Sequence, residues 1–380
     1  MIIKNGIVLG EDLFFQKRDV YIDRGRIVAE ESQVTDNTVI DAEGLYVIPG
    51  LVDVHSHGAA GFDFSDGDGE GLRSILAYQR AHGITTYCPT SMTLPRERLL
   101  QVMKSVGNLG IQEKMLSKQS GKWGDTLANI GGIHMEGPFL DPARKGAHRA
   151  GDIRKPDRDF LQECDEASGG LLRLVTLAPN VEGAVELIQT FRNEQKIHFS
   201  LGHTSADYDT CVNAFAAGAD HVTHLFNAME PLHHREPGLI GAAADTPDCA
   251  AELIADGVHV HDSAMRAAFR LFPDRIVLIS DSIRATGLVD GVYELGGQQV
   301  TVKGNRAELA DGTIAGSVTN LFDCMKRVVA AGIFLEDAIA AATVNPARSI
   351  GIYDQVGSLT PGKRADVLLV DKELRLVRVV

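Results

Sequence analysis

Short apolar runs alternate with stretches of helical period through the middle of the chain. Eight runs of β character fall around residues 51–55, 84–88, 130–135, 171–178, 197–201, 221–225, 250–255 and 276–280. Most are separated by segments whose apolar residues recur every three to four positions, as in Leu72 to His82, Val181 to Phe191 and Tyr208 to Ala217. Strand and helix alternating eight times predict an α/β fold, a (β/α)8 TIM barrel. The segment Val292 to Leu309 breaks the rhythm with Gly-rich, β-prone sequence and reads as a hairpin inserted after the eighth strand. A helical tail, Thr319 to Ala342, then closes the barrel.

The two ends of the chain are patterned differently. Val20-Tyr21-Ile22, the turn Asp23-Arg24-Gly25-Arg26 and Ile27-Val28-Ala29 predict a hairpin. The C-terminal stretch returns to that style, with a turn at Gly357-Ser358-Leu359-Thr360-Pro361-Gly362 before a buried-type strand at Asp366-Val367-Leu368-Leu369-Val370. Both ends are expected to build one small β-sandwich. The division is 1–51 and 352–380 for the sandwich, with 52–351 for the barrel.

Composition narrows the class. Hydrophobic residues make up 44% and charged residues 23% of 380, with no apolar run near the length that spans a bilayer. The amino terminus reads straight into a strand rather than a signal peptide, so a cytoplasmic location is expected. A formal net charge of −14 opposes nucleic-acid binding, which rests on basic residues neutralising phosphates. An anionic small substrate would need a local basic pocket. Cys88, Cys164, Cys211, Cys249 and Cys324 are scattered, odd in number and never C-x-x-C, which argues for buried thiols over disulfides or a thiolate zinc site.

Candidate chemistry lies at the C-terminal ends of the predicted strands. His55-Ser56-His57 follows the first, and residues i and i+2 share a strand face, so both imidazoles can address one metal. Glu136 follows the third strand, where Gly137-Pro138 ends it. His203 follows the fifth, His224 the sixth and Asp281 the eighth. Imidazole and carboxylate gathered on the catalytic face of a barrel are the ligand set of a catalytic zinc-type site. Of the other histidines, His82 and His198 read as structural, His134 and His221 as barrel filling, and His233 and His234 as loop residues that either line the pocket or do not.

Val47-Ile48-Pro49-Gly50-Leu51-Val52-Asp53-Val54-His55-Ser56-His57, with Gly362-Lys363-Arg364-Ala365-Asp366 far downstream, resembles the amidohydrolase superfamily, whose β-sandwich is made from both chain ends. Finer motifs are similar to those of the N-acetylglucosamine-6-phosphate deacetylase family within it. They are His134-Met135-Glu136-Gly137-Pro138-Phe139, Lys145-Gly146-Ala147-His148, Gly202-His203-Thr204 and Thr223-His224-Leu225-Phe226-Asn227-Ala228-Met229, followed by Arg235-Glu236-Pro237-Gly238 and Ala255-Asp256-Gly257-Val258-His259. The resemblance implies that Glu136, His203 and His224 bind the principal metal, that Asp281 is the acid/base and that His148 polarises the amide carbonyl. It further implies that Asn227, the Ala228 backbone, Arg235 and His259 hold the sugar phosphate, with at least one of them reaching the neighbouring subunit's site in a homodimer. Some members lack the first-strand histidines. With both His55 and His57 present, a second metal bridged by Glu136 becomes possible, so one or two divalent ions are expected, zinc first, then iron, manganese or cobalt.

The implied reaction is hydrolysis of the N-acetyl amide of N-acetylglucosamine 6-phosphate. The same chemistry on the galacto epimer stays open. A cyclic amidase of the superfamily would carry a carboxylated lysine at the end of the fourth strand, where this chain has Leu177-Ala178-Pro179-Asn180. A non-catalytic sugar-phosphate sensor predicts missing ligands, and none is missing.

Overall fold

A computed structural model describes residues 1–120, 126–191 and 196–380. Eight parallel strands form the barrel: Leu51–Ser56, Ile84–Ser91, Ile133–Glu136, Leu172–Leu177, His198–Leu201, His221–Val222, Ala250–Ile254 and Ile276–Ile279. They pair in chain order. The first and eighth strands meet at the mouth, where Asp281 N–H donates to His55 O at 2.9 Å and His57 N–H to Ser282 O at 2.8 Å. Helices alternate with the strands, among them Gly69–Ala81, Arg158–Ala167, Tyr208–Ala217 and Asp262–Leu271. Asp68, Asp157 and Asp207 cap the first three by accepting backbone N–H bonds that the first turn leaves unmade.

The predicted barrel is the observed one, with local differences that have physical reasons. The sixth strand stops at Val222 rather than residue 225, because His224 adopts a positive φ of 29° that takes the chain out of the ladder. The third begins at Ile133. Asn129–Ile130 just before it forms a separate two-residue strand against the second barrel strand. The expected hairpin is a three-stranded meander, Gly291–Leu295, Gln298–Lys303 and Arg306–Glu308. The expected helical tail is broken: Leu321–Ala330 and Leu335–Ala342 are separated at Gly332, whose φ of 98° favours glycine, and Val344–Ser349 follows.

Both chain ends join one seven-stranded sheet. Ile2–Leu9 is its hub: it pairs antiparallel with Phe15–Asp23 and parallel with both Val39–Asp41 and Tyr46–Pro49. Val367–Val370 from the C-terminal end then pairs antiparallel with Tyr46–Pro49. The predicted hairpin is present, with Tyr21 opposite Val28. Ile3, Val8, Val20, Ile27, Val47, Val367 and Leu369 make a core of their own under this sheet.

The barrel has two apolar regions. A large one lies between strands and helices and includes Phe199, Leu201, Leu253 and Leu278. A smaller one includes Val52, Val54, Ile254, Val277 and Ile279, joined by Ala347, Ile350 and Ile352 from the last helix and its exit. Full burial of such side chains contributes about 1.5–3 kcal/mol each, before chain entropy is charged against it. Polar groups are buried alongside. His134 Nε2 lies 2.8 Å from Thr176 Oγ1, which meets Thr223 Oγ1 at 2.6 Å, which meets Ser200 Oγ at 2.5 Å. All five cysteines are buried and free of disulfide bonds. Among the described residues, no helix is long and apolar enough to cross a membrane.

Candidate active site

The residues at the strand ends converge on one cavity of about 360 Å³ at the mouth of the barrel, lined by His57, Glu136, His148, His203, His224 and Asp281 among others. Backbone geometry aims several of them. His203, His224 and Asp281 take positive φ values of 47°, 29° and 47°, a region that non-glycine residues avoid at a cost of about 1–3 kcal/mol each. Such turns end a strand abruptly. Strain gathered at three strand ends that face one cavity marks a built site.

Glu136 is the hub. Its Oε1 lies 3.1 Å from both His203 Nε2 and His224 Nε2 and 3.5 Å from His55 Nε2, while Oε2 lies 3.2 Å from both His57 Nε2 and His148 Nε2. Asp281 Oδ1 closes the far side, 3.2 Å from His57 Nε2 and 3.6 Å from His55 Nε2.

The outer nitrogens decide what these imidazoles can do. His203 Nδ1 donates to Arg144 O at 2.8 Å, His224 Nδ1 to Asn227 O at 3.2 Å and His57 Nδ1 to Thr90 O at 3.1 Å. A carbonyl accepts only, so each proton is on Nδ1 and each Nε2 presents a lone pair to the cavity. His55 follows the same rule, its Nδ1 facing Glu252 Oε2 at 2.8 Å. Two of these lone pairs, on His203 and His224, face each other across 3.0 Å with Glu136 Oε1 beside both. Such a set of electron-rich atoms calls for a cation, and an orphaned His55 Nε2 adds to the demand. The donor set therefore fits a divalent metal.

Titration behaviour agrees. Burial opposes charge on His57, but the carboxylates of Asp281 and Glu136 outweigh it and raise its pKa to about 10. Burial likewise opposes ionisation of Asp281, yet the His57 hydrogen bond and the nearby imidazoles draw it down to about 2. A His57 protonated on both nitrogens pairs with both carboxylates, and a cation held there would displace the Nε2 proton. His203, by contrast, is pushed down to about 4, chiefly by burial, and stays neutral as a ligand must.

His148 is wired the other way round. Its Nδ1 accepts the Thr93 backbone N–H at 3.2 Å, so its proton is on Nε2 and points into the cavity. That makes it a donor rather than a ligand.

The chain belongs to the amidohydrolase family, whose model matches residues 46–378. It is 38% identical to the N-acetylglucosamine-6-phosphate deacetylase of Bacillus subtilis (strain 168) over 333 residues, 87% of this chain and 82% of that protein. It is 34% identical to the N-acetylgalactosamine-6-phosphate deacetylase of Escherichia coli O157:H7, covering 98% of this chain and 95% of that one. The crystal structure of N-acetyl-D-glucosamine-6-phosphate deacetylase from Mycobacterium smegmatis superposes with a TM-score of 0.87 at 33% identity, covering 100% of this chain and 98% of that one. Membership of the amidohydrolase family carries with it a divalent metal in the catalytic centre.

The remaining expected residues divide. Asn227, Ala228 and His259 line the same cavity. His259 Nδ1 is held 2.7 Å from Asp256 Oδ2. Arg235 does not join them: it is exposed, does not line the cavity, and its Nη1 lies 2.9 Å from His234 Nε2. His233 and His234 are exposed outside the cavity as well. His82 and His198 are tied elsewhere, to Tyr78 O and Asp220. Glu252, which no sequence motif singled out, is fully buried against His55. Its signal was available as a lone acid inside the apolar run Ala250-Ala251-Glu252-Leu253-Ile254.

Proposed function

We propose that this chain hydrolyses the N-acetyl amide of N-acetylglucosamine 6-phosphate to glucosamine 6-phosphate and acetate. The observation that carries the reading is the meeting of Glu136, His203 and His224 at one point, with a proton-bearing His148 against Glu136 and Asp281 against the neighbouring His57. Relatives named for this deacetylation match over most of the chain.

Glu136, His203 and His224 would hold the principal ion, and His55, His57 and Asp281 a second, with Glu136 between the two groups. When bound, a divalent metal, zinc on this reading, supplies the Lewis acidity that lowers the pKa of a water to about 7. Asp281 takes the proton of the attacking water and returns it to the departing amine, as a positioned carboxylate does. His148 Nε2–H donates to the amide oxygen as negative charge grows on it. Burial of these groups keeps bulk water from competing for their hydrogen bonds.

Asn227, the Ala228 backbone and His259 hold the phosphate. A chain of net charge −14 binds a dianion here through local donors rather than bulk charge. Arg235, outside its own chain's cavity, would complete the phosphate site of a partner in a homodimer. The setting is cytoplasmic amino-sugar breakdown.

The relative named for the galactosamine substrate supports the epimeric reaction as the second reading. Acetate release by the metal-loaded protein from the gluco phosphate, its galacto epimer and the unphosphorylated sugar tests both. Chelator-sensitive release from the gluco phosphate is expected. Release from the epimer alone would move the substrate, and none from any would overturn the deacetylase reading.

A further inference from the structure

We infer that Glu252, inside the seventh barrel strand, is the positioning residue that makes the first-strand histidines a second metal site. The inference rests on the two-ion reading above. Glu252 is completely buried, and its Oε2 lies 2.8 Å from His55 Nδ1. The same oxygen accepts the backbone N–H of His224 at 3.1 Å. One carboxylate thus braces a histidine of each proposed ion group.

The alternative role for Glu252 is ligation, because His55, His134 and Glu252 themselves form a compact group. The hydrogen bonds argue against it. His134 Nδ1 donates to Val54 O at 3.1 Å, and its Nε2 lone pair is taken up by Thr176 Oγ1 at 2.8 Å. No lone pair of His134 is left for an ion. His55 Nε2, by contrast, has no hydrogen-bond partner and faces Glu136 Oε1 at 3.5 Å and Asp281 Oδ1 at 3.6 Å.

His55 therefore differs from His57, His203 and His224 in one respect. Theirs are backbone carbonyl partners, whereas His55 alone of the four is held by a carboxylate. A carboxylate fixes the ring, commits the proton to Nδ1 and makes Nε2 more basic, and losing such a partner costs about 10–100-fold in metal affinity. His55 also lacks any solvent exposure, so no water replaces the partner once it is removed.

The test titrates the metal-depleted protein with cobalt(II), following visible absorption and bound metal per chain, for the wild type, Glu252→Gln and Glu252→Asp. Wild type is expected to take two ions. Glu252→Gln, isosteric but uncharged, keeps an oxygen for the backbone N–H of His224 and is expected to take the first with wild-type affinity and the second about 10–100-fold more weakly. Glu252→Asp, which keeps the charge, should recover part of that loss, a rescue that a purely structural role does not predict. A Glu252→Gln protein that binds both ions as the wild type does, or that loses both alike, overturns the inference while leaving the two-ion reading intact. A wild type that takes one ion only overturns both.

Where Glu252→Gln proves insoluble, the wild-type cobalt(II) protein still decides. Its paramagnetically shifted imidazole N–H resonances should include one that exchanges slowly with solvent and vanishes in His55→Asn. Absence of that resonance counts against a Glu252-held Nδ1–H.

Discussion

The backbone N–H of Thr93 donates to His148 Nδ1 at 3.2 Å, and this single bond separates His148 from the four other imidazoles around Glu136. Their protons point outward and their lone pairs inward; its proton points inward. His148→Ala should therefore lower kcat by about 10²–10³-fold, the usual loss for one donor to a developing oxyanion. Metal content should be unchanged. Measuring both on one preparation checks the assignment, and a variant that sheds metal would make His148 a ligand instead.

Asp281 lies against the first-strand histidines rather than against His203 and His224. Asp281→Asn removes a proton carrier but leaves the principal ligand group whole. Its kcat should fall by about 10²–10⁴-fold, the range spanned by positioned acid/base groups, with the first ion retained. Single-turnover acetate release beside metal analysis gives the answer, and turnover near the wild-type rate would remove Asp281 from the chemistry.

The Asp256–His259 pair sets a pH dependence. Burial works against charge on both, but the mutual hydrogen bond outweighs it, lifting His259 above 6.5 and holding Asp256 below 3.8. The histidine's stabilisation is fully present below 6.5 and is lost as pH rises through its higher folded-state value. The aspartate's is present above 3.8 and is lost as pH falls through its lower one. Between those limits both operate. The Tm difference between wild type and Asp256→Asn should thus be greatest between those limits, at about pH 5, and shrink as pH rises through the histidine's raised value. A difference that grows with alkaline pH would contradict the pairing.

How much of this was legible in the chain differs by residue. The barrel was readable because its strands are continuous apolar runs, and Glu136, His203, His224 and Asp281 stood out because each interrupts such a run at its end. Glu252 escaped because it lies inside its strand, where an acid is tolerated only through a partner 197 positions away, His55. The opposite tautomer of His148 escaped for the same reason: it depends on a backbone N–H 55 residues distant. The break at Gly332 and the third strand of the meander were local, but glycine-rich β-prone sequence does not fix the number of strands it forms.

Arg235 presents the sharpest disagreement between a role and a place. Phosphate recognition suits its planar fork, yet it is exposed and absent from the lining of its own chain's cavity. Service to a partner's site reconciles the two. Arg235→Ala should raise KM for the phosphorylated sugar by about 10-fold or more, the loss of one charge-assisted contact, and leave kcat nearly unchanged. A complementation experiment separates a shared site from a loop that folds inward. Arg235→Ala and Asp281→Asn chains, each defective alone, are mixed and allowed to exchange subunits. In a shared site, half of the mixed dimer's sites combine the intact Asp281 of one chain with the intact Arg235 of the other. Turnover with wild-type KM should then appear in the mixture. Activity equal to the sum of the two separate proteins would place Arg235 in its own chain's site or in none.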